Sequence, residues 1–131
     1  MESLEKEVSF CGLENHQGII DGIIRELHIE DVAFDVKLIL VEAVMNAYYH
    51  GNLSDRSKPI SIRYSRYGSH LQLQVEDCGE GLGDKKIPSE VNDDDLLQET
   101  GRGLFLIRCF SDRVHMIRNV IYIEKNLTSL Q

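Results

Sequence analysis

The stretch Leu38–Asn52, Leu-Ile-Leu-Val-Glu-Ala-Val-Met-Asn-Ala-Tyr-Tyr-His-Gly-Asn, sets the hardest condition on how this chain can fold. Its spacing predicts the second half of a long, largely apolar helix from about Val32 to His50, with Val36, Ile39, Leu40, Ala43 and Ala47 as the core stripe. Glu42, Asn46 and His50 recur every fourth residue, so a carboxylate, a carboxamide and an imidazole share one face of it. Buried polar groups cost free energy unless something pairs with them. The helix must therefore lie where its apolar stripe meets a core and its polar row meets a site. Asp31 is placed to cap its start, and Gly51 to close its end in the left-handed conformation.

The flanking segments say what that core is made of. Val8 and Phe10 alternate with polar neighbours, which predicts a strand ending at Gly12. Ile20, Ile23, Ile24 and Leu27 predict an amphipathic helix over about Glu14–Leu27. Ile60, Ile62 and Tyr64, then Leu71, Leu73 and Val75, alternate about the turn Tyr67-Gly68-Ser69 and predict a hairpin opened by Pro59. Leu104–Phe110 reads as a buried helix, and Val114–Ile117 with Val120–Ile123 as a second hairpin turning at Arg118-Asn119. Between the hairpins, Leu82–Thr100 has no clean period and holds the acidic run Asp93–Asp95. A long irregular connection in a small domain is usually functional or mobile. Hairpins with helices segregated between them predict one α+β domain over residues 1–131, a two-layer sandwich with a mixed, mostly antiparallel sheet and helices on one face. Strictly alternating parallel crossovers, as in a dinucleotide-binding fold, are not present.

With 14 Lys+Arg against 22 Asp+Glu, the net charge is −8, which argues against a general nucleic-acid or acidic-membrane surface. No stretch approaches the roughly 20 apolar residues of a membrane span, and the amino-terminal residues lack the features of a secretory signal. Cys11, Cys78 and Cys109 are odd in number and widely spaced, which fits reduced thiols in a cytoplasmic protein. The five histidines show no metal-ligand spacing.

Three features carry chemistry. They are the row Glu42, Asn46 and His50; the sequence Asp77-x-Gly79-x-Gly81 at a strand end; and Gly101-Arg102-Gly103 before a helix. A glycine pair at a helix start can bind phosphate through free N–H groups and the helix dipole, or can be a plain turn. A D-x-G-x-G can likewise be only a tight turn, and a Glu and Asn on a buried helix can simply bond neighbouring backbone.

Taken together and in this order, the features resemble the GHKL ATPase family, which includes gyrase, histidine kinases and MutL. Glu42-x-x-x-Asn46-x-x-x-His50-Gly51 is similar to that family's N-box, Asp77-Cys78-Gly79-Glu80-Gly81 to its first glycine box, and Gly101-Arg102-Gly103-Leu104 to its second. The irregular connection falls where the family has its ATP lid, so the fold implied is the Bergerat ATP-binding fold. The short length and the Glu-Ala-x-x-Asn-Ala-x-x-His-Gly-Asn helix look like the anti-sigma-factor serine/threonine kinases of bacteria. That resemblance implies ATP and Mg²⁺ as cofactors. It also implies a sigma factor and a small, STAS-like anti-anti-sigma protein as partners, and a homodimer as the common state.

The resemblance implies a role for each residue. Asn46 would ligate Mg²⁺ through its neutral oxygen, and Glu42 would be the catalytic residue, accepting a proton from an attacking hydroxyl or orienting water. Asp77 would accept the adenine amino group's hydrogen bond. Gly79 and Gly81 would let the backbone approach the base. The N–H groups around Gly101, Gly103 and Leu104 would face the phosphates, with Arg102 adding charge. Arg102 has an alternative in pairing with Asp94, and His50 in capping its helix. Cys78 is expected to be a packed thiol, and Lys85 and Lys86 are the available cations of the lid. Many relatives support the adenine-binding aspartate with a glycine-threonine turn. Here that region is Arg118-Asn119-Val120-Ile121, where Asn119 can substitute in part. The alternatives to kinase activity are a nucleotide-binding switch that acts by sequestration alone and a detached sensor-kinase ATPase domain.

Overall fold

The structure, a computed structural model, describes residues 3–79 and 99–127. Five strands form one sheet in the order β1-β2-β3-β5-β4: β1 is Ser3–Cys11, β2 Pro59–Tyr67, β3 His70–Glu76, β4 Arg113–Ile117 and β5 Val120–Asn126. Where a mixed sheet was expected, all four pairings among the described residues are antiparallel. Both expected hairpins are present, the first turning at Gly68 (φ 59°) and the second at Arg118 (φ 56°).

Alternation decides which sheet face is covered. Ile60, Ile62 and Tyr64 on β2, Leu71, Leu73 and Val75 on β3, and Ile121 and Ile123 on β5 are buried. Their neighbours Arg63, Gln72, Gln74 and Glu124 lie on the open face. Three helices form the second layer: α1 is His16–Leu27, α2 Ala33–Asn46 and α3 Glu99–Phe110. α2 packs against both α1 and α3 and buries Val36, Ile39, Leu40, Ala43 and Val44. Each fully buried Ile or Leu contributes roughly 1.5–3 kcal/mol, which is what holds this central helix down.

Local details depart from expectation. β1 extends five residues closer to the amino terminus than Val8, to Ser3, because its backbone pairs along the whole of β2, from Ser3 opposite Tyr67 to Cys11 opposite Pro59. Asp31 does not cap α2: it lies inside a single 3₁₀ turn, Glu30–Val32, and the residue before α2 is Val32, which makes no side-chain cap bond. α3 begins at Glu99, before the glycine pair rather than after it. Gly51 is not left-handed. α2 runs on into a π-helical turn, Ala47–Gly51, and the left-handed residues come later, at Leu53 (φ 54°) and Ser54 (φ 61°).

Candidate active site

The polar row ends in that π turn, a wider winding that often marks functional positions. Glu42, Met45, Asn46, Tyr49, His50, Arg102 and Gly103 line one small cleft of about 80 Å³ between α2 and α3. Two of the three sequence features thus meet in space, brought together by α2 packing on α3. Within the cleft, Asn46 Oδ1 is buried and has no hydrogen-bond partner among the described residues. A carboxamide oxygen held out of water, with no donor among the described residues, has an acceptor site that a donor or a cation can fill. That fits Mg²⁺, a hard ion that takes oxygen ligands together with substrate phosphates. Among the described residues no group of three His, Cys, Asp or Glu side chains converges to hold a metal by itself.

Glu42 is half-buried, and its carboxylate reaches across to α3. A Cβ on Gly103 would lie 2.9 Å from Glu42 Oε2, so only glycine leaves the carboxylate its present position. Gly101 falls in the first turn of α3. Gly103 and Leu104 lie one turn further in, and the Leu104 side chain belongs to the core. The Arg102 side chain is exposed at the mouth of the cleft. His50 is exposed on the same rim.

The third feature sits beyond the π turn. Asp77 follows β3 and is buried, with 5% of its surface exposed. Its Oδ1 accepts the Gly79 amide at 2.7 Å. Burial pushes its carboxyl above the ordinary carboxylate value, the Gly79 amide opposes that, and neighbouring Glu76 adds to it. The rest of the carboxylate lies over Gly51, where a Cβ would fall 2.6 Å from Oδ1 and closer still to Oδ2. A Cβ on Gly79 would in turn lie 3.0 Å from the Gly51 Cα. Gly51 and Gly79 are therefore glycines for close approach, not for backbone twist. Gly81, Lys85, Lys86 and Asp94 lie outside the described residues.

Asn119 serves Asp77, though through its backbone. The Asp77 amide donates to the Asn119 carbonyl at 3.1 Å, and Asn119 Nδ2 donates to the Asp77 carbonyl. Cys78 is exposed, contrary to expectation, with its Sγ 3.6 Å from the Pro59 carbonyl. The strand ahead of it alternates, so Asp77 turns inward and its neighbour outward.

One residue was missed. Asn52 is completely buried; its Oδ1 accepts the Cys78 amide at 2.7 Å, and its Nδ2 donates to the carbonyls of Lys58 at 3.0 Å and Pro59 at 3.3 Å. The signal lay in the sequence as an Asn directly after Gly51, where it read as the start of a polar loop.

A helical layer on an antiparallel sheet, with Glu and Asn facing a glycine-bearing helix start and a buried Asp beside them, is the architecture of an ATPase domain. The chain belongs to the histidine kinase-like ATPase domain family, which it matches over residues 21–126. It is 33% identical over 86 residues to the serine-protein kinase RsbW of Oceanobacillus iheyensis, covering 61% of this chain and 54% of that protein. It is 32% identical over 95 residues to the anti-sigma F factor of Clostridium perfringens, covering 70% and 64%. With the serine-protein kinase RsbW of Bacillus licheniformis it shares 30% identity over 91 residues, covering 63% and 55%. The chain thus spans between half and two thirds of these relatives. None of the described helices is long and apolar enough to cross a membrane.

Proposed function

We propose that the protein is an ATP- and Mg²⁺-dependent serine/threonine protein kinase that acts in the cytoplasm as an anti-sigma-type regulator. Its substrate would be a serine or threonine on a small anti-anti-sigma partner, and its second partner a sigma factor. The observation that carries this reading is the buried Asn46 Oδ1, without a hydrogen-bond partner among the described residues, one helical turn from Glu42. The names of the relatives, two serine-protein kinases and an anti-sigma factor, support the choice of acceptor and partners.

Asn46 would hold Mg²⁺, which when bound neutralises phosphate charge. Asp77 would accept the adenine amino hydrogen bond through its carboxylate, and the amides at the start of α3 would face the phosphates. Arg102 would sit against the terminal phosphate, whose geometry a guanidinium matches. Glu42 would take the proton of the attacking serine or threonine hydroxyl. The bond formed joins that oxygen to the γ-phosphorus; the bond broken joins the γ-phosphorus to the β–γ bridging oxygen, and ADP leaves.

The test mixes the protein with Mg²⁺-ATP and its serine-bearing partner and follows transfer of the terminal phosphate. Transfer that is lost in Glu42→Ala supports the reading. Absence of transfer, with Glu42→Ala behaving like the parent, would overturn it. Nucleotide binding without transfer would instead indicate a switch that acts by sequestration. Acid-labile phosphate on the acceptor would indicate histidine as the target.

A further inference from the structure

We propose that Asn52 is a positioning residue that aims Asp77 at the nucleotide base and so sets the preference for adenine. The inference rests on Asp77 being the base-reading group.

Asp77 lies past the last paired residue of β3, so the sheet ladder no longer fixes it. A carboxylate there points reliably only if both peptide planes beside its Cα are held. The plane before it is held where the Asp77 amide meets the Asn119 carbonyl at 3.1 Å. The plane after it is held at both atoms: Asn119 Nδ2 takes the Asp77 carbonyl, and Asn52 Oδ1 takes the Cys78 amide at 2.7 Å. Without Asn52, one atom of that second plane is released, and the plane can tilt about the remaining bond.

Asn52 is well suited to the task. Its side chain is fully buried, and its Nδ2 is tied to the carbonyls of Lys58, just ahead of β2, and of Pro59, the first residue of β2. Its rotamer is therefore set by the sheet, so the position of Oδ1 is inherited from a rigid element. Asn52 also follows Gly51, the glycine over which the Asp77 carboxylate lies. The floor under the carboxylate and the anchor of its backbone are consecutive residues. Asn52 is completely buried and its carboxamide is engaged by backbone groups, so it would act through Asp77 and not on the nucleotide itself.

The experiment compares ATP with inosine triphosphate, which carries an oxo group where adenine has its amino group. Dissociation constants are measured by calorimetry in Mg²⁺ for the full chain and for Asn52→Ala. The parent is expected to favour ATP. In Asn52→Ala that preference is expected to fall about tenfold, mostly through weaker ATP binding. Equal weakening of both nucleotides, with the preference unchanged, would show a purely structural role and overturn the inference. A parent with no preference for ATP would instead overturn the base-reading role of Asp77, and the inference with it. If Asn52→Ala does not fold, amide hydrogen exchange in the parent decides. The Cys78 amide, outside any strand or helix, should be strongly protected, and rapid exchange there would overturn the inference.

Discussion

The carboxylate of Asp77 rests on the Cα of Gly51, with no room between them for a side chain. This contact joins the end of the central helical layer to the end of β3, and under the proposed role of Asp77 it makes Gly51 part of the base pocket. Gly51→Ala must push Asp77 aside, because the obstruction is a short, buried side chain with little freedom to swing away. ATP affinity is expected to fall about tenfold or more, equivalent to about 1.4 kcal/mol. Isothermal calorimetry checks this, with circular dichroism confirming the fold. An unchanged affinity would mean that the Asp77 carboxylate is not the group that reads the base.

Asp77 also separates stability from binding. Burial raises its folded carboxyl value above the ordinary 3.8. A raised value means that folding is favoured by the protonated form. That contribution is complete below the ordinary value and is lost as pH rises through the raised one. At neutral pH the ionised carboxylate therefore weighs against the fold. Asp77→Asn removes the charge and keeps an oxygen for the Gly79 amide. Its melting temperature is expected to exceed the parent's by a few degrees at neutral pH, and the gain should vanish below pH 3.8. ATP affinity should fall, because the carboxamide nitrogen meets the adenine amino group donor to donor. Thermal melts across the acid range, paired with calorimetry, test both halves.

These two residues show what was legible in the sequence and what was not. Asp77 and the row Glu42, Asn46 and His50 were readable because each stands out from a regular apolar pattern. The strands were readable for the same reason: Ile60, Ile62 and Tyr64 alternate, and all three are buried. Gly51 was read as important for the wrong cause. Helix ends often carry a left-handed glycine, but the constraint here is the Asp77 side chain just past β3, and no local pattern reveals a contact between residues so distant in the chain. Asn52 was hidden in a similar way, since its partners Lys58, Pro59 and Cys78 lie in other segments at separations of 6, 7 and 26 residues, which no helix or strand period reveals. The early start of α3 was obscured because Gly101 and Gly103 are poor helix formers, and packing against α2 overrides that preference.

Gly103 carries a prediction of the opposite kind. It lies within α3, where alanine is favoured over glycine by about 1 kcal/mol. The added methyl would lie 2.9 Å from Glu42 Oε2, the far end of a flexible side chain that can swing away. Gly103→Ala should therefore fold and melt slightly higher than the parent. With Glu42 displaced, phosphate transfer is expected to fall about tenfold or more, about 1.4 kcal/mol on the barrier. ATP affinity should change much less, because in the proposed mechanism Glu42 acts on the hydroxyl and not on the nucleotide. A transfer assay beside calorimetry checks the split; undiminished transfer would remove Glu42 from the role of base.

Tyr64 provides a control remote from the site. Its ring is buried under α1, and its hydroxyl donates to Glu26 Oε1 at 2.6 Å. Glu26 is also paired with Lys6, and the hydrogen bonds from Lys6 and Tyr64 hold its carboxyl below the usual value. Burial, then the adjacent Glu26, pushes the Tyr64 hydroxyl up to about 12 from its ordinary 10.0. Because the folded value is the higher one, the stabilisation is complete below pH 10 and is lost as pH rises from 10 to about 12. Tyr64→Phe keeps the ring and loses the bond, so it should cost about 1 kcal/mol at neutral pH, or roughly 4 °C in melting temperature. The gap between variant and parent should narrow through that alkaline window, as the parent surrenders what the variant never had. Melting curves from neutral pH to about 12 test this, and a gap that stays constant would mean the Tyr64–Glu26 bond contributes nothing to the pH dependence. ATP binding at neutral pH should be the same in both proteins, since Tyr64 lies outside the cleft lined by Glu42, Asn46 and Arg102.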